Sequence, residues 1–325
     1  MSTGTSVGGV GGAIGSRWLR KLRQWFDAAA PAPEDAALDT ADGVDWARIV
    51  PFAAMHLACL LVFVVGASAV AVATCVALYL LRMFAITAFY HRYFSHRSFK
   101  TSRAAQFLFA LLGASAVQRG PIWWAAHHRH HHAFSDKVQD AHSPRQHGFL
   151  WAHMGWFLSR RHFRPDLQRV RDLTRYPELR WLDRFDVLVP LLLALALLAT
   201  GLALERHAPG LGTSGAQMLV WGFFVSTVAC YHGTYTINSL CHRWGSRRYA
   251  TRDDSRNNAL LALLTLGEGW HNNHHHYPSA VRQGFYWWEI DLTFYLLRGL
   301  AAFGVVWDLN PVPERVRNAR EVQRA

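Results

Sequence analysis

Twelve of the 19 histidines in this 325-residue chain fall in four places: HRYFSH at 91–96, HHRHHH at 127–132, His242 after Cys241, and HNNHHH at 271–276. Neutral imidazole is a good ligand for iron, zinc, copper or nickel. On a helix, H-x-x-H-H puts its first histidine on the face shared by the i+3 and i+4 residues, so three nitrogens can converge on a metal pair. His91 and His96 stand five apart, diverge by over a turn on an ordinary helix, and can serve different metals. The set exceeds what one tetrahedral zinc needs, which argues for two metals. A lone histidine is more often a surface or hydrogen-bonded core residue, and His56, His147, His162, His207 and His232 are read that way. Tracts that merely bind metal are usually contiguous and sit in disordered tails; these clusters are spread through the chain.

Something must bring them together. No charged residue occurs between Ile49 and Leu81. A span needs about 20 apolar residues, so this stretch extended to Tyr90 holds two, 49–66 and 69–90, with the turn at Gly66 to Ser68. Two more, 185–204 and 217–237, are joined by ERHAPGLGTSG. The expected fold is therefore all-α and membrane-integral, four transmembrane helices under a cytosolic helical cap. Parity then sets all four histidine places on one side. Arg82 falls inside the second span and is expected to snorkel to the near interface. The interrupted apolar stretches 104–117 and 284–303 suit packed or interfacial helices.

The formal charge is +12, nearly all from arginine, because lysine occurs only at Lys21, Lys100 and Lys137. With spans present, this excess points to an anionic membrane surface rather than nucleic acid. Apart from Arg82, Arg184 and Arg206, the basic residues lie in the N-terminal segment, in 91–180 and in 242–325, which places both termini and the polar segments in the cytoplasm. Residues 1–46 read as a basic tail and linker, in which Trp18, Leu19, Leu22, Trp25 and Phe26 share a helical face suited to a membrane surface. The main domain runs over 47–308, followed by a polar tail, 309–325. No cleaved signal is expected, and Cys59, Cys75, Cys230 and Cys241 form no CxxC pair, which fits a reducing compartment.

The order H-x-x-x-x-H, H-x-x-H-H, H-x-x-H-H resembles the membrane fatty-acid desaturases. HRYFSHRSFK, HHRHHHAFSD, Asp140 with His142, His153 to Trp156, Asn238 to His242, and GEGWHNNHHHYP bring it closest to the acyl-CoA delta-9 (stearoyl-CoA-type) enzymes, over roughly 47–308. The resemblance implies two Fe(II) ions held by His91, His96, His128, His131, His132, His242, His271, His274 and His275, with Asn238 holding a metal-bound water. The division it suggests is His91, His96, His128, His132 and His275 on one iron, and His131, His242, His271 and His274 on the other. In the second box, His127, His130 and His131 also satisfy H-x-x-H-H; Arg129 and Phe134-Ser135 match the family only in the register of His128.

The implied activity is O2-dependent insertion of a cis double bond into a saturated fatty-acyl chain, with acyl-CoA as substrate, in unsaturated lipid biosynthesis. Animal stearoyl-CoA enzymes carry an Arg-Asp pair where Ala126 and His127 stand here, which leaves acyl carrier protein and phospholipid open as carriers. The chain shows no iron–sulfur cysteine set, dinucleotide fingerprint or fused cytochrome b5 domain. The electrons are therefore expected from a separate ferredoxin, rubredoxin or cytochrome b5 with its reductase. The rivals are a membrane diiron hydroxylase and, from another class, a metal-binding membrane protein or transporter. A transporter places ionisable groups deep inside its spans, and beyond Arg82, His56, Asp186 and His232 these spans hold no Asp, Glu, Lys, Arg or His.

Overall fold

A computed structural model of the chain describes residues 22–30 and 43–319. Trp18 and Leu19 of the expected amphipathic stretch lie outside the described residues. Residues 22–26 form a helical turn, and Arg184 fixes its end by donating to both Asp27 oxygens at 2.9 and 2.8 Å.

The polypeptide is mostly helix. Helix α1, Trp46–Cys59, leads through a short turn to Gly66, whose φ of +68° reverses the chain at little cost. The Ser68 hydroxyl then accepts from the Ala71 amide and starts α2, Ala69–Phe84. Without a break α2 becomes a π-helix, Ala85–Ser95. Helices α3 (Arg103–Ala114) and α4 (Pro121–Phe134) follow, then α5 (Pro177–Arg184) and the long α6 (Leu188–His207). After a capping box at Ser214 and Gln217, α7 (Gly215–Leu219) passes through a π-turn into α8 (Ser226–Ser239). Three short helices follow: α9 (Ala259–Leu264), α10 (His271–His276) and α11 (Leu292–Ala302). Two antiparallel strands, Lys100–Thr101 and Val306–Trp307, tie the end of the chain back to the first histidine segment.

Among the described residues three helices are long and apolar enough to cross a membrane: Arg48–Val65, Ala69–Ser95 and Leu188–His207. The segment read as a fourth span is helical from Gly215 to Ser239, but Ser226, Thr227, Tyr231, His232, Thr234 and Tyr235 make it more polar. Arg82 explains part of that polarity. It does not snorkel: it is fully buried, donating to Thr227 Oγ1 at 2.6 Å, to Leu78 O at 3.2 Å and to the Ser226 hydroxyl. Facing hydroxyls satisfy the guanidinium in place, so it has no need of the interface.

Two features aim the histidine helices. At the start of α4 the Asp183 carboxylate accepts from the Trp123 amide at 2.8 Å, and burial pushes that carboxyl up to about 6. A Cβ at Gly120 would stand 2.4 Å from Asp183 Cα, so only glycine permits this approach. Farther along α4, Arg129 donates to the carbonyls of Phe94 and Ser95 at 2.7 and 2.9 Å and pairs with Asp172 at 2.7 Å. It thereby clamps α4 to the end of the π-helix.

Arg92, buried on the same π-helix, pairs with Glu268 and Asp291, both at 3.0 Å, and donates to Val281 O at 2.7 Å. Removing it leaves two buried carboxylates without a counter-charge, a loss of about 3–5 kcal/mol. Arg92→Met should therefore lower the thermal unfolding temperature in detergent sharply, and an unchanged melting curve would contradict the pairing.

Candidate active site

The π-helix decides where the first histidines point. Its wide turn closes hydrogen bonds from residue i to i+5, and the His96 amide donates to His91 O at 3.2 Å in that pattern. Five residues are then close to one turn. The two rings lie 4.9 Å apart and join the same group, where an ordinary helix would have separated them.

Helix α4 presents His128 and His132 on one face and His131 on the next; α10 does the same with His274 against His271 and His275. His242 arrives from the turn that ends α8. Two groups result: His91, His96, His128, His132 and His274, and His131, His242, His271 and His275. The nine histidines singled out from the sequence are the nine brought together. The division differs, however, because His274 and His275 change places. On the short α10, His274 lies on the side of α2 and α4, where its Nε2 is 3.0 Å from that of His91 and 3.0 Å from that of His132. His127 and His130 fall outside: His127 packs on Trp123 and Trp156, and His130 Nε2 meets Gln139 O at 2.7 Å.

Four carboxylates lie beneath the rings. His131 Nδ1 donates to Asp140 at 3.0 Å, His242 Nδ1 to Asp136 at 2.8 Å, His275 Nδ1 to Asp253 at 2.7 Å, and His91 Nδ1 to Glu268. Each bond fixes the tautomer and turns the Nε2 lone pair inward, the usual support of a metal-binding histidine. Burial alone would raise Asp136, Asp140 and Asp253, yet the imidazoles against them hold all three well below the carboxylate range. Burial keeps His96, His128, His132, His271 and His274 neutral, far below their ordinary range, and brings His275 down to about 4 against the pull of Asp253. His131 is the exception. Burial opposes its protonation, but Asp140 beside it raises it.

The inward nitrogens suit metal ions. Pairs of Nε2 atoms face one another at 3.0 Å (His91 and His274), 2.7 Å (His96 and His128) and 3.1 Å (His242 and His271). Ligands bound at about 2.1 Å and at right angles stand about 3.0 Å apart. His275 Nε2 is buried with no hydrogen-bond partner, as a nitrogen reserved for an ion would be. No carboxylate belongs to either group; Asp140 enters only a further set with His131 and His142.

A cavity of about 850 Å³ reaches the groups. Its lining includes His91 and His128 of the first, His131 and His271 of the second, and Asn238 between them and the spans. Elsewhere the walls are chiefly apolar, among them Met83, Ile86, Phe223 and Tyr231.

The supporting acids were not singled out from the sequence. Asp136, Asp140 and Glu268 lay in quoted motifs without a role, and Asp253, between His242 and the last histidine cluster, carries no local signal. Nor are His56 and His232 isolated. His56 Nε2 lies 3.2 Å from His232 Nε2, and His232 Nδ1 lies 2.9 Å from His153 Nε2. This string joins α1, α8 and the π-turn Trp151–Gly155 outside the metal groups.

A sequence model of fatty acid desaturases matches residues 67–308, which hold every histidine of both groups. The chain belongs to the fatty acid desaturase family. It is 38% identical over 284 residues to the palmitoyl-monogalactosyldiacylglycerol delta-7 desaturase of Arabidopsis thaliana, covering 85% of this chain and 71% of that one. It is 36% identical to an acyl-CoA C20 delta-5-desaturase of Anemone leveillei (76% and 75% covered), and 35% identical to the sn-1 stearoyl-lipid 9-desaturase of a Synechocystis strain (91% and 89%). This family member is thus an oxidoreductase of lipid metabolism, and its apolar helices accord with a membrane-bound family. The relatives divide between lipid and CoA substrates and among three double-bond positions. They therefore do not single out the acyl-CoA delta-9 type.

The imidazole environments set a pH dependence. His96, His128, His132, His271, His274 and His275 stay neutral in the fold but take up protons once it opens. Their folded values lie below the ordinary 6.5, so unfolding binds protons and stability falls as pH drops from about 6.5 toward 4. His131 acts in the opposite sense, one group against six. Metal-stripped protein in detergent should lose melting temperature steadily through this window. A flat profile would show that these rings are not neutral in the fold.

Proposed function

We propose that the chain inserts a cis double bond, at the delta-9 position, into a saturated fatty-acyl chain, using O2 and two iron ions held by the nine histidines. The observation that carries this reading is two groups of carboxylate-oriented imidazoles lining one apolar cavity in a desaturase family member. Imidazole also suits zinc, copper and nickel, but iron provides the O2 activation that attack on unactivated methylenes requires. The delta-9 assignment draws on three relatives that bear that position in their names.

The overall change removes two hydrogens from neighbouring methylenes. With two electrons and two protons from outside, it reduces O2 to two waters. The protein's part is to orient and to exclude. Asp136, Asp140, Asp253 and Glu268 hold the imidazoles in one tautomer and rotation. Asn238, on the cavity wall at the end of α8, would position a bound water. The apolar walls keep bulk water from the acyl chain and fix which carbons face the histidines.

In this reading 217–237 is the fourth span, and both termini and the metal groups are cytoplasmic. A glycan or reporter tag at residue 210 should then report the outside, and tags at 145 and 320 the cytoplasm. Exposure of 145 outside would overturn the shared site. The electron donor is separate and soluble or membrane-bound, a ferredoxin, rubredoxin or cytochrome b5. Because such donors are usually acidic and this face is arginine-rich, turnover should weaken as ionic strength rises past about 0.1 M, where the Debye length is about 10 Å.

Expression in a host lacking unsaturated fatty acids, followed by double-bond mapping, tests the reaction itself; an alcohol in place of the alkene would make the enzyme a hydroxylase. His128→Ala, His242→Ala and His271→Ala should each abolish product and lower bound iron, while His162→Ala does neither. Full activity in His242→Ala would remove the ligand assignment, since that residue lies outside the repeated motifs.

A further inference from the structure

Resting on the desaturase reading, we infer that the acyl chain arrives as part of a membrane glycerolipid, entering sideways from the bilayer through a slot between α1 and α6. The cavity does not end inside the protein. Pro51 and Ala54 on α1, and Leu191 and Leu195 on α6, line it and are also exposed, Leu191 to 45% and Leu195 to 52%. All four lie within helices apolar enough to span a membrane. What touches their outer surface is therefore lipid, and the same surface continues inward to His91 and His271.

The lining residues extend along α1 from Arg48 to Ala58 and along α6 from Val187 to Leu198. At 1.5 Å per residue each run is about 15 Å long, half of a hydrocarbon core of about 30 Å. An acyl chain can thus leave one leaflet through the slot without passing through water. Helix α1 is built to border such an opening. None of its most apolar window is buried, and it is fastened to α8, where His56 meets His232 and Phe52 stacks on Tyr231 at 6.1 Å.

The polar end of the cavity argues against a CoA thioester. CoA carries several phosphate charges and calls for unpaired cations. Among the described residues the two arginines lining this end are already engaged: Arg48 faces Asp45 at 3.6 Å, Arg119 faces Asp186 at 3.0 Å, and both lie against the Phe163 ring. Balanced arginine–aspartate pairs at the depth of the bilayer interface suit the ester and head group of a glycerolipid, which brings little or no net charge.

The test uses membrane vesicles from a host that expresses the full chain and supplies its own electron donors. Isotope-labelled stearoyl chains are offered either in phospholipid and galactolipid or as stearoyl-CoA, with lipid acyl exchange blocked, and intact products are read by mass spectrometry. The label should become unsaturated within the intact lipid. Ala54→Trp and Leu195→Trp, which fill the slot, should lower that rate by at least about tenfold with bound iron unchanged, because a misplaced chain no longer meets the histidines. Leu192→Trp, equally exposed on α6 but off the cavity, should keep the wild-type rate. Unsaturation confined to the thioester, or wild-type rates in both slot variants, would overturn lateral entry while leaving the desaturase reading intact. No unsaturation from either carrier would instead remove the desaturase reading, and this inference with it.

Discussion

The site depends on hydrogen bonds from imidazole Nδ1 to buried carboxylate. Nine rings crowded together would otherwise be free to turn, and inward lone pairs at about 3 Å repel unless something positive lies between them. Asp136, Asp140, Asp253 and Glu268 prevent the rings from turning away, and burial prevents most of them from protonating. The fold therefore holds two sets of aimed nitrogens, most of them kept deprotonated by burial, in an arrangement that suits cations. The carboxylates also moderate the charge, since two divalent ions on neutral rings alone would leave four positive charges in a buried place.

That arrangement is continuous with the framework. Glu268 receives His91 on one oxygen and Arg92 on the other, and Arg92 also holds Asp291, the residue that caps α11. One buried set of charges thus fixes a ligand, the π-helix that carries it and a helix of the polar body. Arg129 acts likewise between α4 and the carbonyls of Phe94 and Ser95. Ligands far apart in sequence keep their mutual geometry because the ion pairs that join their helices are the ones that orient them.

Much of this was legible in the sequence. The histidine clusters, the turn at Gly66 and the helices Arg103–Ala114 and Leu292–Ala302, which fall in the apolar stretches 104–117 and 284–303, follow from spacing, glycine chemistry and apolar runs, all of which are local. The exceptions are tertiary. Arg82 lies among hydroxyls of α8 that a one-dimensional reading cannot place beside it. The exchange of His274 and His275 depends on how a six-residue helix is rotated, which spacing leaves undetermined by a single step. Ala85–Ser95 has the composition of an ordinary span; its π-winding shows only once His91 and His96 must share a group. The acids escaped notice because Asp136 reaches His242 across 106 residues, beyond any motif.

The π-helix resolves a conflict between membrane and metal. A span is under pressure to stay regular, since each unsatisfied backbone group in lipid is costly. A metal group needs two ligands on one side within a short length of chain. Widening the turn keeps every residue from Ala85 to Ser95 in helical hydrogen bonding while rotating the later side chains back over the earlier ones. His91 and His96 then meet without a kink or loop in the second span. Met83 at the end of α2 and Ile86 and Thr87 at the start of the π-helix line the cavity just before the first histidine. Cavity wall and first histidine group are thus consecutive turns of one continuous helix, and backbone hydrogen bonds set the register between them.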